Sequence, residues 1–133
     1  MILQPTSPLR TSQHIDESIN LLINSNCDSV VSVCLVPGHF NPYWQFIIEE
    51  GRLRLFTGQT LSQIITRRQS LPKTYTRNGA IYAFKSPLVF EKGDIYGDSC
   101  VAYIMRTEES INIDSEEDLW LAEKFIIKNR TSR

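Results

Sequence analysis

Two oxygen-bearing side chains stand two residues apart in the segment Ile111-Asn112-Ile113-Asp114. In an extended segment successive side chains point to opposite faces, so Asn112 and Asp114 share one face and the isoleucines share the other. Oxygen ligands suit Mg²⁺, and open α/β sheets hold their ligands where strands end. The spacing therefore indicates a metal site at Asp114, with help from Asn112. The alternative is that Asp114 only caps the next helix, whose dipole favours a carboxylate there.

A second group of residues could bind an anion. Arg67-Arg68-Gln69 is followed by Tyr75 and by Asn78-Gly79. Adjacent guanidiniums can form paired hydrogen bonds with a carboxylate or phosphate, and Asn-Gly lets the backbone approach a ligand closely. The alternative is a surface turn. His14 and His39 have no partner at a recognisable spacing and no nucleophile elbow is visible, so ordinary hydrolase chemistry has no support.

The charge distribution is uneven along the chain. Residues 51–90 contain seven basic residues and no acidic residue, although the net charge is −1. Such a block either forms a solvated face or collects around an anionic ligand. The near-neutral total, and the lack of aromatic residues placed regularly between the cations, argue against nucleic acid as a partner.

Hydrophobic spacing predicts the elements that must position these residues. We expect a short strand at residues 1–3, then a helix capped by Thr11 or Ser12, then a strand at 30–36 covered on both faces. The apolar stripe of the helix would be Ile15, Ile19, Leu22 and Ile23. Strand, helix and strand in this order predict a parallel βαβ crossover.

The middle of the chain does not continue this alternation of strand and helix. Residues 43–48 and 52–56 are strand-like and are joined through Glu49-Glu50-Gly51, which predicts a hairpin. Further along we expect a strand at 80–84, a short helix at 86–91 and a strand at 101–105. Ser115 and Asp118 resemble a capping box ahead of a helix at 116–128. These elements predict one α/β layer domain with a hairpin excursion.

Length and composition set outer bounds. A chain of 133 residues with 41% hydrophobic residues suits one globular domain, over 1–133, that can bury a core without disulfides. No run approaches the ~18 apolar residues of a membrane span and the first residues lack a signal-peptide pattern, so we expect a cytoplasmic protein without a membrane partner. Cys27, Cys34 and Cys100 show no CxxC spacing, so we expect buried thiols rather than disulfides or zinc ligands.

Four stretches, taken in order, carry the motifs of one enzyme family. They are Leu3-Gln4-Pro5-Thr6-Ser7-Pro8-Leu9-Arg10, Asp28-Ser29-Val30-Val31-Ser32-Val33, Asn78-Gly79-Ala80-Ile81-Tyr82 and Ser110-Ile111-Asn112-Ile113-Asp114. They closely resemble the acylneuraminate cytidylyltransferases, or CMP-sialic acid synthetases, including the relatives that act on legionaminic and pseudaminic acids. Residues 67–72 and 117–123 also look like family segments, so the resemblance extends over essentially the whole chain.

The resemblance implies a partial Rossmann-like nucleotidyltransferase fold with a mainly parallel sheet flanked by helices. It implies transfer of CMP from CTP to a sialic-acid-like nine-carbon keto acid sugar, with release of pyrophosphate and Mg²⁺ as cofactor. Gln4 would contact nucleotide and sugar, Arg68 would pair with the sugar carboxylate, and Asn78 and Tyr82 would line the sugar pocket. Asp114 would be the catalytic ligand that holds Mg²⁺ near the reacting phosphate.

The resemblance also implies a homodimer, formed through the excursion at about 37–77. Two departures from the family bear on activity. Asn112 stands where the family has the first Asp of its metal motif, which removes one negative charge and should lower metal affinity. Nothing matches the Gly/Ser/Lys loop that wraps the CTP phosphates, so we expect a C-terminal portion of the enzyme that is inactive alone. The alternatives are a non-catalytic module for dimerisation or acidic-sugar binding, and a transferase for another acidic sugar.

Overall fold

The strands of the chain form two separate sheets. The computed structural model describes residues 1–131, and in that range contains the helices α1 (Ser12–Asn24), α2 (Ser86–Lys92) and α3 (Glu116–Thr131). The strands are β1 (Ser29–Leu35), β2 (Phe46–Glu49), β3 (Arg52–Leu55), β4 (Tyr75–Phe84) and β5 (Cys100–Met105). The chain divides into two compact units. The core unit is Met1–Cys34 with the chain from Arg77 onward, and the inserted unit is Leu35–Thr76.

The main sheet is mixed, with strand order β4-β1-β5. β1 and β5 are parallel, in a register that pairs Val30 with Val101. The amide of Lys85, directly after β4, donates to the carbonyl of Asp28, directly before β1, at 3.0 Å, so these two strands run in opposite directions. The expected α/β layer fold is present. The sheet is not mainly parallel, because the chain leaves the carboxyl end of β1 and re-enters the sheet at that same end.

The first residues join the sheet in a different way from the one predicted. Ile2 forms an isolated antiparallel bridge with Tyr82 of β4. Residues 1–3 therefore pair with β4, which lies between them and β1. The predicted strand–helix–strand crossover does not produce a directly paired parallel ladder in the described part of the chain.

One face of α1 packs on the core. Ile15 and Leu22 pack against a buried cluster formed by the sheet and by the turn that follows α1. The cluster consists of Cys27, Val30, Ala80, Ile81, Ala83 and Met105. Ser18 is buried on the same face, while Ile23 is 69% exposed. The predicted stripe was therefore right for Ile15 and Leu22 and wrong for Ile23 and for Ile19, which is 38% exposed. The packed face follows the spacing 15, 18, 22. Thr11 caps the helix, with His14 completing a capping box.

The inserted unit contains the predicted hairpin. β2 and β3 pair antiparallel with Phe46 opposite Leu55 and Ile48 opposite Leu53. Glu50 and Gly51 occupy the turn with φ of 51° and 76°, which is the left-handed conformation that tight hairpins require. The unit covers nearly the same residues as the predicted excursion, 37–77.

Two further sequence expectations concern the cysteines and the membrane. Cys27 and Cys34 are buried thiols as predicted, whereas Cys100, at the start of β5, is exposed. None of the helices in residues 1–131 combines the length and the apolar character needed to cross a membrane.

Candidate functional site

The segment that carries Gln4 is fixed to strand β4 by hydrogen bonds. Ile2 and Tyr82 exchange two backbone hydrogen bonds, of 2.8 and 3.0 Å. Further along, the Arg10 Nη1 donates to the carbonyls of Gln4 at 3.0 Å and of Ala80 at 2.8 Å. One guanidinium therefore holds the backbone at Gln4 against the middle of β4. Sequence reasoning assigned no role to Arg10.

Gly79 brings the Gln4 side chain close to strand β4. Its φ is +74°, a conformation in which a side chain is strained. A Cβ at this position would collide with Gln4 Oε1 and would lie 3.6 Å from Asn112 Oδ1. The absence of a side chain at Gly79 thus lets Gln4, β4 and Asn112 meet at one place.

The segment after β5 completes this place. The Ile113 amide donates to the Thr6 carbonyl at 2.8 Å, and the Thr6 hydroxyl donates to Asn112 Oδ1 at 2.6 Å. The Asn112 amide in turn donates to Asp114 Oδ2 at 2.7 Å. Asn112 and Asp114 therefore share a face, as the alternation predicts, and Thr6 anchors the pair.

The start of α3 is capped by residues other than Asp114. The Ser115 hydroxyl accepts from the Asp118 amide at 3.2 Å, and Asp118 Oδ2 accepts from the Ser115 amide at 2.9 Å. The Ser115 hydroxyl also donates to Asp118 Oδ2, at 2.8 Å. This hydrogen bond and, to a smaller extent, the one from the Asp114 amide lower the pKa of Asp118. The predicted capping box is confirmed. The exposed carboxylate of Asp114 is left for its contact with Asn112.

Asn78 lies inside the core unit, 5% exposed. Its Oδ1 accepts from the Ser32 hydroxyl of β1 at 2.6 Å, and its Nδ2 donates to the Ser110 hydroxyl at 2.8 Å. Buried amides need such partners, because an unpaired polar group away from water is costly. The side chain therefore links β4, β1 and the segment that leads to Asn112.

The other two predicted sugar residues differ in their setting. Tyr82, on β4, is 6% exposed. Arg68 begins a short 3-10 helix, Arg68–Ser70, in the inserted unit, and its side chain is exposed beside Gly38. The structure brings Gln4, Asn112 and Asp114 together in the core unit, whereas Arg68 belongs to the inserted unit and its role stays a prediction.

The Asn112–Asp114 pair has the donor chemistry of a magnesium site. It offers one carboxylate and one amide oxygen, and Mg²⁺ is commonly held by one or two carboxylates while substrate phosphates and water fill its other positions. Rotating the Asn112 side-chain amide by about 180° exchanges its oxygen and nitrogen, so that Oδ1 faces Asp114 and Nδ2 faces Thr6. The Thr6 hydroxyl can accept a hydrogen bond from this nitrogen as readily as it donates one to the oxygen. These residues therefore fit Mg²⁺. Among residues 1–131, no group of three or more His, Cys, Asp or Glu side chains is placed to hold a metal.

Two residues of this site, Thr6 and Arg10, had no sequence-based role. The sequence also did not show that the group close to Gly79 would be the Gln4 side chain. Asn112, which accepts from Thr6, lies 106 residues away along the chain, and Ala80, which accepts from Arg10, lies 70 residues away. The one local signal was Asn78-Gly79, which indicates a backbone turn without naming its partner.

Known proteins resemble this chain over most of its length. It is 30% identical over 129 residues to post-translational flagellin modification protein B of Campylobacter coli, a match that covers 96% of this chain and 52% of that protein. It is 30% identical over 118 residues to an N-acylneuraminate cytidylyltransferase of Streptococcus agalactiae, covering 89% of this chain and 28% of that protein. For the CMP-N,N'-diacetyllegionaminic acid synthase of Campylobacter jejuni the identity is 30% over 99 residues, covering 73% and 40%.

The chain thus spans about half or less of the length of these relatives. No protein-family model matches it.

Proposed function

This chain belongs to the family of the acylneuraminate cytidylyltransferases, and from that premise we propose that it works in the transfer of CMP from CTP to an acidic sugar of the sialic acid type. Its own part is to bind the sugar, and a magnesium ion, beside the reacting phosphate. The proposal is supported most directly by the meeting of Gln4, Gly79, Asn112 and Asp114 at one place in the core unit.

The reaction joins two anionic molecules. The anomeric hydroxyl oxygen of the sugar bonds to the α-phosphorus of CTP, the bond from that phosphorus to the bridging oxygen breaks, and pyrophosphate leaves with the bond's electron pair. The hydroxyl proton passes to solvent or a nearby base. Such a transfer depends on positioning and on neutralising charge at the phosphate oxygens.

Gln4 is suited to positioning. Its backbone is held by Arg10 and its side chain lies over Gly79, so its amide has a defined place from which to donate to a hydroxyl or phosphate oxygen and to accept from a sugar hydroxyl. Asp114 would hold Mg²⁺ with Asn112 as the neutral second ligand. When bound, the ion would neutralise negative charge on the phosphate oxygens.

Asn78 and Tyr82 would shape the sugar pocket from within β4. Both side chains are nearly buried, so we propose that Asn78 acts on this pocket chiefly by holding β4 and residue 110 in place. Arg68 would supply the guanidinium that pairs with the sugar carboxylate.

We also propose that two copies of the chain associate through the inserted unit. One face of the hairpin carries Phe46, Ile48 and Leu53, which are 43%, 74% and 52% exposed. The opposite face carries the ion pair of Arg54 and Glu49, at 3.2 Å, together with Ile47, which is 39% exposed. Burying the apolar face against a second hairpin would remove that apolar surface from water.

Calorimetric titration of N-acetylneuraminic acid into the full chain, with CTP and Mg²⁺ present, tests the function. We expect saturable binding that weakens at least about fivefold in Gln4→Ala, because a hydrogen bond to the ligand is worth roughly 1 kcal/mol. Gln13→Ala is the matched control, since Gln13 is an exposed amide that bonds Glu17 on α1. Binding that is absent in the native chain, or unaffected by Gln4→Ala, would refute the proposal.

A further inference from the structure

His14 completes the capping box of α1 with an imidazole ring, where a Glu or Gln side chain is usual. The Thr11 amide donates to His14 Nδ1 at 3.2 Å, and the His14 amide donates to the Thr11 hydroxyl at 3.3 Å. A backbone amide can only donate, so Nδ1 must carry no proton while this bond lasts. In the neutral ring the proton is therefore on Nε2.

The Nε2 side of the ring faces a carboxylate. His14 Nε2 lies 3.6 Å from Glu109 Oε2, and the two side chains are only 12% and 20% exposed. Glu109 Oε1 also accepts from Arg106 Nη2 at 2.5 Å. That hydrogen bond does most to lower the pKa of the Glu109 carboxyl. His14 thus presents an N–H to a carboxylate, in a contact that solvent screens less than a fully exposed one.

Glu109 lies shortly before the proposed metal ligands in the chain. The residues that follow it are held by Thr6, whose hydroxyl donates to Asn112 Oδ1 at 2.6 Å and whose carbonyl accepts from the Ile113 amide at 2.8 Å. His14 and Thr6 belong to one continuous stretch of the core unit. His14 therefore contacts the upstream end of the segment 109–113, and Thr6 contacts its downstream end.

We propose that His14 and Glu109 are positioning residues for the candidate metal site, an inference that rests on the function proposed above. The His14 N–H attracts the Glu109 carboxylate and keeps the backbone after β5 close to α1. This leaves the segment 109–113 placed for the two hydrogen bonds made by Thr6. Histidine suits both tasks, because one ring nitrogen accepts from the cap while the other donates to the carboxylate.

Two substitutions separate this role from a role in the cap alone. Both Glu and Gln complete a capping box, but only Gln also offers an N–H, whereas Glu places a second negative charge beside Glu109. His14→Gln should therefore preserve the position of the segment and His14→Glu should disturb it. In His14→Glu/Glu109→Gln the repulsion is removed, so the position should be restored.

Amide hydrogen exchange of Ile113 measures whether its bond to Thr6 persists. We expect His14→Glu to raise the exchange rate about threefold or more, and His14→Gln and the double variant to stay within about twofold of the native chain. Asn20→Glu, which adds the same charge at an exposed position of α1, is the matched control, and the β1 amides monitor the whole fold. No change at Ile113 in His14→Glu, an equal change in Asn20→Glu, or an equal change in the β1 amides would overturn the proposal.

A metal titration separates failure of this inference from failure of the proposed function. Mg²⁺ is titrated by calorimetry, with CTP present, into the native chain, His14→Glu and His14→Gln. We expect about threefold weaker binding in His14→Glu and an affinity within about twofold in His14→Gln. Equal affinities in all three proteins refute the positioning role and leave the proposed function standing. Absence of Mg²⁺ binding to the native chain refutes the proposed function, and the Ile113 exchange rates then decide whether His14 and Glu109 position the segment.

Discussion

At the scale of single residues, Asn78 and Arg68 show two different relations between a side chain and a site. Asn78 has both ends of its amide bonded inside the core unit, whereas the Arg68 guanidinium lies exposed in the inserted unit. We therefore expect the loss of the Asn78 side chain to lower the stability of the fold. We propose that the loss of the Arg68 side chain weakens ligand binding instead.

We predict that Asn78→Ala lowers the free energy of unfolding by about 1–3 kcal/mol. The substitution removes the hydrogen bonds of a buried amide to Ser32, Ala80, Met105 and Ser110. The change is measured as the shift of the urea midpoint at constant m-value. Asn20→Ala, at an exposed position of α1, should stay within about 0.5 kcal/mol of the native chain. A loss no larger than that of the control would show that the Asn78 network contributes little to stability.

Arg68 and Arg67 make an internal comparison for anion binding. If Arg68 anchors the sugar carboxylate, Arg68→Ala should weaken N-acetylneuraminate binding roughly 10-fold or more. Arg68→Lys should weaken it by an intermediate amount, because lysine keeps the charge but cannot form the paired hydrogen bonds of a guanidinium. Arg67→Ala should have little effect. Equal losses for the two alanine variants, both fading in high salt, would instead indicate a diffuse positive field.

At the scale of elements, the turn at residues 94–97 should respond to acid. The Asp94 carboxylate accepts from the Tyr96 amide and then from the Gly97 amide, and these bonds lower its pKa from the ordinary value of 3.8. A carboxyl whose pKa is lowered by folding stabilises the fold above its unfolded pKa and loses that contribution as the pH falls through the folded value.

We therefore predict that the turn is intact from pH 7 to about pH 4 and loosens only below that. Amide resonances of Tyr96 and Gly97, followed from pH 7 to pH 2, give the midpoint, and Asp94→Asn should remove the transition. A midpoint at or above 3.8 would contradict the assigned hydrogen bonds.

Local elements were predictable from local chemistry, and long-range placement was not. The hairpin turn at Glu50-Gly51 and the capping box of Ser115 and Asp118 depend on residues within a few positions of one another, and both were found. The pairing of residues 1–3 with β4, and the burial of Asn78, depend on partners far along the chain. The sequence around Asn78 does not show that the Ser32 hydroxyl of another strand will donate a hydrogen bond to its side chain.

The candidate site follows the same division. Alternation in a four-residue segment was enough to place Asn112 and Asp114 on one face. It could not show that Thr6 bonds Asn112 or that Arg10 fastens Gln4 to β4, because those contacts exist only after the sheet has formed.

At the scale of the whole molecule, the exposed hairpin face predicts self-association. Ile48→Glu places a charge at the most exposed residue of that face, beside Leu53 on the paired strand. Sedimentation equilibrium at micromolar concentration should give a dimer or larger species for the native chain and a monomer for Ile48→Glu, since a charge is costly to bury at such an interface. A monodisperse native monomer would contradict the prediction.

We propose that Asp114 and Asn112 hold Mg²⁺ where the Gln4 side chain contacts β4, and metal titration tests this proposal most directly. Mg²⁺ is titrated by calorimetry into the native chain, Asp114→Asn and Asn112→Asp in the presence of CTP. Removing the carboxylate should weaken the metal's affinity about 10-fold or more, and Asn112→Asp should strengthen it by a similar factor, because affinity for hard cations rises with the number of charged oxygen ligands. Equal affinity in all three proteins would contradict the claim.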